Sequence, residues 1–238
     1  PQAYTAIFGN TDLWRAAFNS FYVAIIGCVL GLIGTCVAAY PMAYGNFYGK
    51  KLYVIIIMFT MWFNAGIVPL FLTIRQLGLY DSLWALILNS MITAYNVVII
   101  RSYFSSIPFS VIESARIDGA TDYRILFQLV IPLSKPVLAT VALWLIVGHW
   151  NDYLNPLVLI HSQEHKTLQL FLKELVLNAE TSTSNLASVN DATNKGVAAL
   201  SQQLKNGVLV VSMVPMLVLY PFLQKFFVSG VMLGSVKG

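Results

Sequence analysis

The chain has 238 residues, of which 58% are hydrophobic and only 10% are charged. A soluble domain is typically about 45–50% apolar and about 25% charged, so this composition argues against a soluble enzyme, a nucleic-acid-binding protein and a disordered chain. The formal net charge of +4 comes from basic residues that mostly flank apolar runs, which is how positive charge orients a membrane protein. The composition indicates an integral membrane protein.

Five apolar stretches are long enough to cross a hydrocarbon core of about 30 Å, which takes roughly 20 helical residues. Their apolar runs are continuous rather than alternating, which favours helices over the strands of a closed barrel. We therefore predict an all-α fold, a polytopic transmembrane helical bundle that forms one domain over residues 1–238. The predicted spans lie near residues 17–43, 52–73, 83–104, 134–160 and 208–229.

The cysteines and histidines are not arranged as a disulfide or a metal site. Cys28 and Cys36 lie eight residues apart in one apolar run, which on a helix separates them by about 12 Å of rise, too far for a disulfide. His161 and His165 share one loop but lack a third ligand, so we interpret them as loop residues and predict no bound metal.

Positive charge is gathered in connections that fall on one side of the membrane if the spans alternate. Lys50 and Lys51 lie between the first and second spans, and Lys225 lies near the C-terminus. Further basic residues lie in or beside residues 105–132. Because short cytoplasmic connections carry an excess of lysine and arginine, we expect residues 105–132 and the C-terminus to be cytoplasmic, and residues 161–207 to be extracytoplasmic.

Residues 105–132, which we call the elbow, have the pattern of two short helices joined at a glycine. Ser110 followed by Glu113 predicts a capping box at the start of the first helix, and this helix is expected to run to about Asp118. Gly119 allows a left-handed turn that a β-carbon would disfavour. From physical chemistry alone, an amphipathic connector on the bilayer surface is an equally good interpretation.

The second helix of the elbow has its own start and stop signals. Thr121 is expected to cap it, and Pro132 is expected to end it because proline lacks an N–H donor. The apolar positions of the two helices are Ile112, Ala115, Leu126 and Leu129.

The elbow resembles the EAA motif of ATP-binding-cassette importer permeases. In that family, the motif forms a coupling helix that sits in a cleft of the cytoplasmic ATPase. Ser114 stands where the motif has its first alanine, a change from one small residue to another. The resemblance implies that the ATPase-coupling residues are Glu113, Ser114, Ala115, Asp118, Gly119, Ala120, Ile131 and Pro132.

Further motifs, such as Trp150-Asn151-Asp152-Tyr153, are similar to the carbohydrate branch of these permeases. Within it, importers of polysaccharides and oligosaccharides, alginate importers among them, are the nearest group. The resemblance implies a type I importer permease fold in a bacterial inner membrane, with six spans, one of them preceding Pro1. It implies as partners a second, homologous permease subunit, two ATPase subunits, an extracytoplasmic binding protein that meets residues 161–207, and an oligosaccharide substrate.

The sequence contains no G-x-x-x-x-G-K-[ST] phosphate-binding loop. If the chain belongs to an ATP-driven importer, ATP and Mg must therefore bind to the partner ATPase. We accordingly expect the chain to be a transport subunit without enzymatic activity or a cofactor of its own.

Polar side chains inside the apolar spans are candidates for the translocation pathway, because such groups are costly in lipid and tend to face a cavity or a partner helix. Asn89, Thr93 and Asn96 recur at helical spacing, which predicts one polar stripe on the third span. Hydrogen bonds that join neighbouring helices are an equally good explanation of these residues.

A second polar group lies in the fourth span. His149 and Asp152 are three residues apart and would share a helical face, with Trp150 and Asn151 between them. Amides, carboxylates and aromatic rings are suited to binding sugars, so we predict a pathway role, with a local ion pair between His149 and Asp152 as the alternative.

Two other functions are compatible with an apolar helical chain. One is a proton-coupled secondary transporter that uses Asp152 and His149 as a relay. The other is a membrane protein that serves only in interaction and transports nothing. Neither accounts for the motifs of the elbow.

Overall fold

The computed structural model describes residues 11–186 together with Met213 and Leu217, and it describes side-chain environments up to Leu177 and at those two residues. The predicted fifth span near residues 208–229 and the C-terminus lie outside the described residues, apart from those two positions. Within the described residues the structure is helical and contains no strand, which confirms the predicted all-α fold.

Ten α-helices and a short 3₁₀ turn, Gln163–His165, make up the described chain. One of the helices, Asp122–Leu133, contains a π-helical turn at Leu126–Val130. The helices are α1 Thr11–Tyr44, α2 Lys50–Trp62, α3 Ile67–Gln76, α4 Leu83–Asn89, α5 Ala94–Phe104, α6 Phe109–Ile117, α7 Asp122–Leu133, α8 Lys135–Asn151, α9 Leu154–Leu159 and α10 Leu168–Leu186.

The first predicted span is confirmed as one helix, whereas the next three are broken. Among the described residues, α1 alone is long and apolar enough to cross a membrane, and the number of candidate spans rises to at most four if each bent pair of helices is counted as one. The axes change direction by 118° between α2 and α3, by 49° between α4 and α5, and by 85° between α7 and α8. The bend between α7 and α8 lies at the start of the predicted fourth span, which is divided by Asp152 and Tyr153, between α8 and α9.

The described chain divides into two compact units. The first, which we call the elbow unit, consists of residues 25–70 and 87–146 and contains the elbow. The second, which we call the loop unit, consists of residues 11–24, 71–86 and 147–186.

Each unit has its own apolar core. In the loop unit this core is formed by Leu13, Trp150, Leu168 and Leu172. In the elbow unit it includes both cysteines, which are free and buried, as expected from their spacing. The same core also includes Tyr40, Met42, Tyr44, Val97, Ile100, Phe104, Ile112, Ile125, Leu126, Val130 and Val141.

Candidate functional site

The first helix of the elbow begins earlier than the sequence predicts. Pro108 is its N-cap residue, and no side chain caps the helix. Because the helix begins at Phe109, Ser110 already lies inside it, and its carbonyl accepts a hydrogen bond of 2.9 Å from Ser114 Oγ. The predicted capping box of Ser110 and Glu113 is therefore wrong, and the side chain of Glu113 is exposed.

Gly119 ends the first helix in the predicted left-handed conformation, with φ of +78°. Its N–H donates to Arg116 O at 3.0 Å, and the N–H of Ala120 donates to Ala115 O at 3.0 Å. These two bonds form a Schellman motif, which satisfies carbonyls at the end of a helix. A β-carbon built on Gly119 would meet no atom within 4 Å. The glycine is therefore required by its backbone angle rather than by lack of space.

The second helix of the elbow is fixed at its start by side chains. Thr121 Oγ1 accepts from the N–H of Arg124 at 3.4 Å, which confirms the predicted cap. Asp122 Oδ1 accepts from Tyr40 Oη at 3.0 Å and from an Arg116 guanidinium nitrogen at 3.1 Å. The hydrogen bond to Asp122 raises the pKa of Arg116 above its ordinary value. Asp122 thus joins the end of α1 to both elbow helices.

The second helix does not end at Pro132 as predicted. A wide π turn lies directly before the proline, closed by a bond from the N–H of Ile131 to Leu126 O. This turn accommodates the missing donor of Pro132, since a π turn absorbs one extra residue within a helix. The helix continues to Leu133, and the N–H of Ser134 donates to Val130 O at 3.0 Å.

The elbow has a buried face and an exposed face. Its buried positions join the core of the elbow unit: Ile112 and Val130 are 0% exposed and Ile125 is 1% exposed. On the other face, Ile117 is 81% exposed and Tyr123 is 75% exposed. Large apolar side chains on the exposed face of a polar connection are typical of a surface that binds a partner.

The eight predicted coupling residues all lie in or next to these helices. Five of them are exposed, and Ala115, Ala120 and Ile131 are half-buried. The structure thus places the motif next to the exposed apolar side chains. The role of the motif in coupling stays a prediction. The exposed members are Glu113, Ser114, Asp118, Gly119 and Pro132.

The predicted polar stripe on the third span is wrong in its geometry. Asn89 is the last residue of α4, and α5 begins only after Thr93. Thr93 is exposed and caps α5, because its Oγ1 accepts from the N–H of Asn96 at 3.4 Å. Asn96 itself is buried. A threonine hydroxyl prefers a free amide at a helix start to a place inside the helix, so the stripe is interrupted by a cap.

The second polar group is also rearranged. Because α8 ends at Asn151, which is exposed, His149 and Asp152 do not share one helical face. The carboxylate of Asp152 accepts from the backbone N–H and the side-chain amide of Asn155, at 3.1 Å and 2.7 Å. No ion pair joins His149 to Asp152 in the described part of the chain.

The remaining residues of this group are buried. Trp150 lies in the core of the loop unit, with its ring 5.0 Å from that of Phe21. His149 is buried, and its Nε2 has no hydrogen-bond partner among the described residues. Trp150 thus packs in the core of the loop unit, and a pathway role for the group His149, Trp150, Asn151 and Asp152 stays a prediction.

The break between α2 and α3, which lies in the elbow unit, was not predicted from the sequence. Residues 63–66 are exposed, and Gly66 has φ of +84° with its N–H bonded to Asn64 Oδ1 at 2.9 Å. The backbone N–H groups of Asn64 and Ala65 donate to no acceptor within the described chain. An asparagine and a glycine two residues apart inside an apolar run are a turn signal that identifies this break.

A polar cluster in the loop unit, formed by side chains that hold residues 161–168, was also not predicted from the sequence. We call these residues the clasp segment. Asp81 Oδ1 accepts from the N–H of His161 at 2.8 Å, from the N–H of Ser162 at 2.9 Å and from Ser162 Oγ at 3.1 Å. Asp81 has φ of +59° and is the only non-glycine residue with positive φ in the described chain.

Burial alone raises the pKa of Asp81, but its hydrogen bonds from Ser162 and His161 and the nearby His165 outweigh that effect. The pKa of Asp81 therefore lies below its ordinary value. His165 Nδ1 lies 3.1 Å from Ser162 Oγ and 3.9 Å from Asp81 Oδ1. These contacts do not form a metal site, and no group of three or more metal-binding side chains occurs among the described residues.

Comparison with known proteins agrees with the membrane character of the fold. Residues 16–189 match the family described as binding-protein-dependent transport system inner membrane component. The chain is 35% identical over 236 residues to the polygalacturonan/rhamnogalacturonan transport system permease protein YtcP of Bacillus subtilis (strain 168), covering 99% of this chain and 81% of that relative. It is 27% identical to the arabinooligosaccharides transport system permease protein AraQ of the same organism, covering 99% and 78%.

A solved structure is also similar to the chain. It is the crystal structure of a bacterial ABC transporter involved in the import of the acidic polysaccharide alginate, with a TM-score of 0.81 and 33% identity. The similarity covers 94% of this chain and 79% of that one. The chain therefore belongs to the family of inner membrane components of binding-protein-dependent transport systems.

Proposed function

We propose that the chain is one permease subunit of an ATP-driven, binding-protein-dependent importer of oligosaccharides. The carbohydrates named for its relatives are polygalacturonan or rhamnogalacturonan, arabinooligosaccharides and alginate, which supports this substrate class. The partners would be a second permease subunit, two ATPase subunits that bind ATP and Mg, and an extracytoplasmic binding protein.

The observation that carries the coupling role is the exposed apolar face of the elbow on a rigid base. Ile117 and Tyr123 extend outward, while the Schellman motif at Gly119 and the bonds to Asp122 fix the backbone beneath them. A rigid connection transmits the displacement of a docked partner to the helices that continue from it. Glu113, exposed in the first helix, is available to pair with a basic residue of the ATPase.

The orientation of the chain follows from this role and from its charges. The elbow and the C-terminus would be cytoplasmic, where the ATPase binds, in agreement with Lys50 and Lys51 at the start of α2. Residues 161–207, including the clasp segment and α10, would then be extracytoplasmic and near the binding protein.

The pathway role is supported in the elbow unit by the break between α2 and α3. Helix α2 has 13 residues, so it rises about 20 Å from Lys50 into a hydrocarbon core of about 30 Å. Irregular backbone at that depth occurs only where it is covered by protein or lines a water-filled cavity. We propose that residues 63–66 line the pathway, because substrate sites in many transporters lie at broken helices.

The coupling role is tested at Ile117. Replacing Ile117→Asp places a charge in the exposed apolar face without disturbing the core, because the side chain is 81% exposed. When the importer is purified through a tag on the permease, we expect at least about tenfold less ATPase in the complex, since a buried unpaired charge at an interface is costly. Ile117→Val, which keeps the apolar surface, is the matched control.

Two results would contradict the proposal: full retention of the ATPase by Ile117→Asp, or equal loss with Ile117→Val. The proton-coupled alternative depends on a relay between His149 and Asp152, and the carboxylate of Asp152 is already bonded to Asn155. Uptake that is abolished by an uncoupler and insensitive to loss of the ATPase would favour that alternative.

A further inference from the structure

The clasp segment is held in place by side chains that are distant in the sequence. Besides Asp81, Asn19 on α1 donates through its side-chain amide to Glu164 O at 2.7 Å and to Lys166 O at 3.0 Å. The next residue of α1, Ser20, accepts from the N–H of Leu168 at 2.8 Å. Both α1 residues are buried.

These contacts determine where α10 begins. Leu168 is the first residue of α10, and the hydroxyl that accepts from its amide belongs to Ser20, 148 residues earlier in the chain. Two residues before Leu168, Lys166 is buried and forms an ion pair with Glu174 on α10. The start of α10 is thus tied to α1 and, through Asp81, to the turn before α4.

The polar groups involved are costly unless they are paired. A buried amide without a partner destabilises a fold by about 1–3 kcal/mol, and a non-glycine residue with positive φ persists only where its surroundings hold it. The side-chain hydrogen bonds of Asn19 and Asp81 described above are all made to residues of the clasp segment. Their arrangement therefore fixes one position of α10, whose side chains Lys173 and Leu175 remain exposed.

We propose that Asp81, Asn19 and Ser20 are positioning residues that hold α10 in the orientation engaged by the binding protein. This inference rests on the proposed function. The three residues need not touch the binding protein, since they act through the clasp segment. Loss of their contacts would leave α10 attached but able to take several orientations, which lowers the affinity for the binding protein because a smaller fraction of the permease is competent to bind.

The test uses the complete importer in lipid nanodiscs and measures ATP hydrolysis against the concentration of substrate-loaded binding protein. For Asp81→Ala, which removes the acceptor of three hydrogen bonds, we expect the half-maximal concentration to rise about tenfold. Hydrolysis without the binding protein should stay within about twofold of the wild type. Asn19→Ala should shift the half-maximal concentration in the same direction.

Two further variants separate positioning from general damage. Asp81→Asn keeps an acceptor oxygen and should lie within about threefold of the wild type. Glu164→Ala removes an exposed carboxylate of the clasp segment that has no described partner and should change nothing. The inference is overturned if Asp81→Ala has a wild-type half-maximal concentration, whether or not its unstimulated rate falls. If wild-type hydrolysis is not stimulated by any binding protein, the proposed function fails instead.

Discussion

The elbow and the clasp segment are both connections between helices that hold one conformation, but their partners lie at different distances along the chain. In the elbow, the bonds at Gly119, Thr121 and Arg116 join residues no more than six positions apart. One further bond, from Tyr40 to Asp122, spans 82 residues. In the clasp segment, the bonds from Asp81 and Asn19 join residues 80 to 147 positions apart. The elbow therefore keeps most of its shape when it moves as a body, whereas the clasp segment keeps its shape only while distant helices stay in place.

This difference suits the two proposed roles. A segment that transmits force from an ATPase benefits from a shape that does not depend on the rest of the molecule. A segment that presents α10 to a binding protein benefits from a shape that depends on the positions of α1 and the turn before α4, because its geometry then reports the state of those helices.

The largest expected effect tests the local origin of the elbow's shape. Gly119→Val and Gly119→Pro should reduce oligosaccharide uptake at least about tenfold while assembled protein remains in the membrane, because neither residue adopts a φ of +78° without strain. Gly119→Asn should lie within about threefold of the wild type, since asparagine tolerates this conformation. Uptake into proteoliposomes is the measurement.

Because a β-carbon at Gly119 meets no atom within 4 Å, the order of these variants should follow backbone preference and not side-chain size. Equal loss with asparagine and valine would show that the space around Gly119, and not its backbone angle, matters for coupling.

A second prediction concerns the break at residues 63–66, where the backbone amides of Asn64 and Ala65 have neither local nor distant acceptors among the described residues. If water from a pathway satisfies them, Asn64→Cys should react with a small, charged thiol reagent at least about tenfold faster than the wild-type cysteines. Cys28 and Cys36 are both buried and supply the control in the same molecule. Labelling no faster than that of the wild type would show that the break is covered.

The smallest expected effect concerns the charge of Asp81. Because its pKa is lowered in the folded protein, its ionisation stabilises the fold above the ordinary carboxyl pKa of about 4 and this contribution is lost as the pH falls through the lowered value. The wild type should melt about 2–4 °C above Asp81→Asn between pH 5 and pH 8, and the difference should shrink as the pH falls below the ordinary carboxyl pKa.

Thermal unfolding of the purified importer measures this difference. Glu164→Gln changes an exposed carboxylate of the clasp segment and should melt with the wild type at every pH. A difference between wild type and Asp81→Asn that grows as the pH falls would contradict the assignment of Asp81 as a charged acceptor.

The parts of the fold that were predictable from the sequence are those set by local chemistry. Gly119 predicts the end of one helix and Thr121 predicts the start of the next, and both predictions are confirmed. Ser110 is misassigned because the N-cap of the helix is Pro108, two residues before the predicted cap. The predicted polar stripe on the third span is wrong because Thr93 caps a new helix there.

The clasp segment lay beyond sequence reasoning for a different reason. Nothing near Asp81 indicates that its partners are His161 and Ser162, since no local pattern encodes a contact over 80 residues. The exposure of Ile117 was equally hidden, because an apolar residue in an amphipathic helix is expected to be buried until its neighbours are known.

The π turn at Leu126–Val130 limits how this part of the chain can change in length. A π turn contains one residue more than the α-helix that would replace it, so deletion of a single residue there can leave a regular helix. Each residue of an α-helix turns the chain by about 100°. Because the π turn absorbs its extra residue locally, such a shortening would avoid the rotation that a one-residue deletion causes in a regular α-helix, and the surface around Ile117 would keep its direction relative to α8.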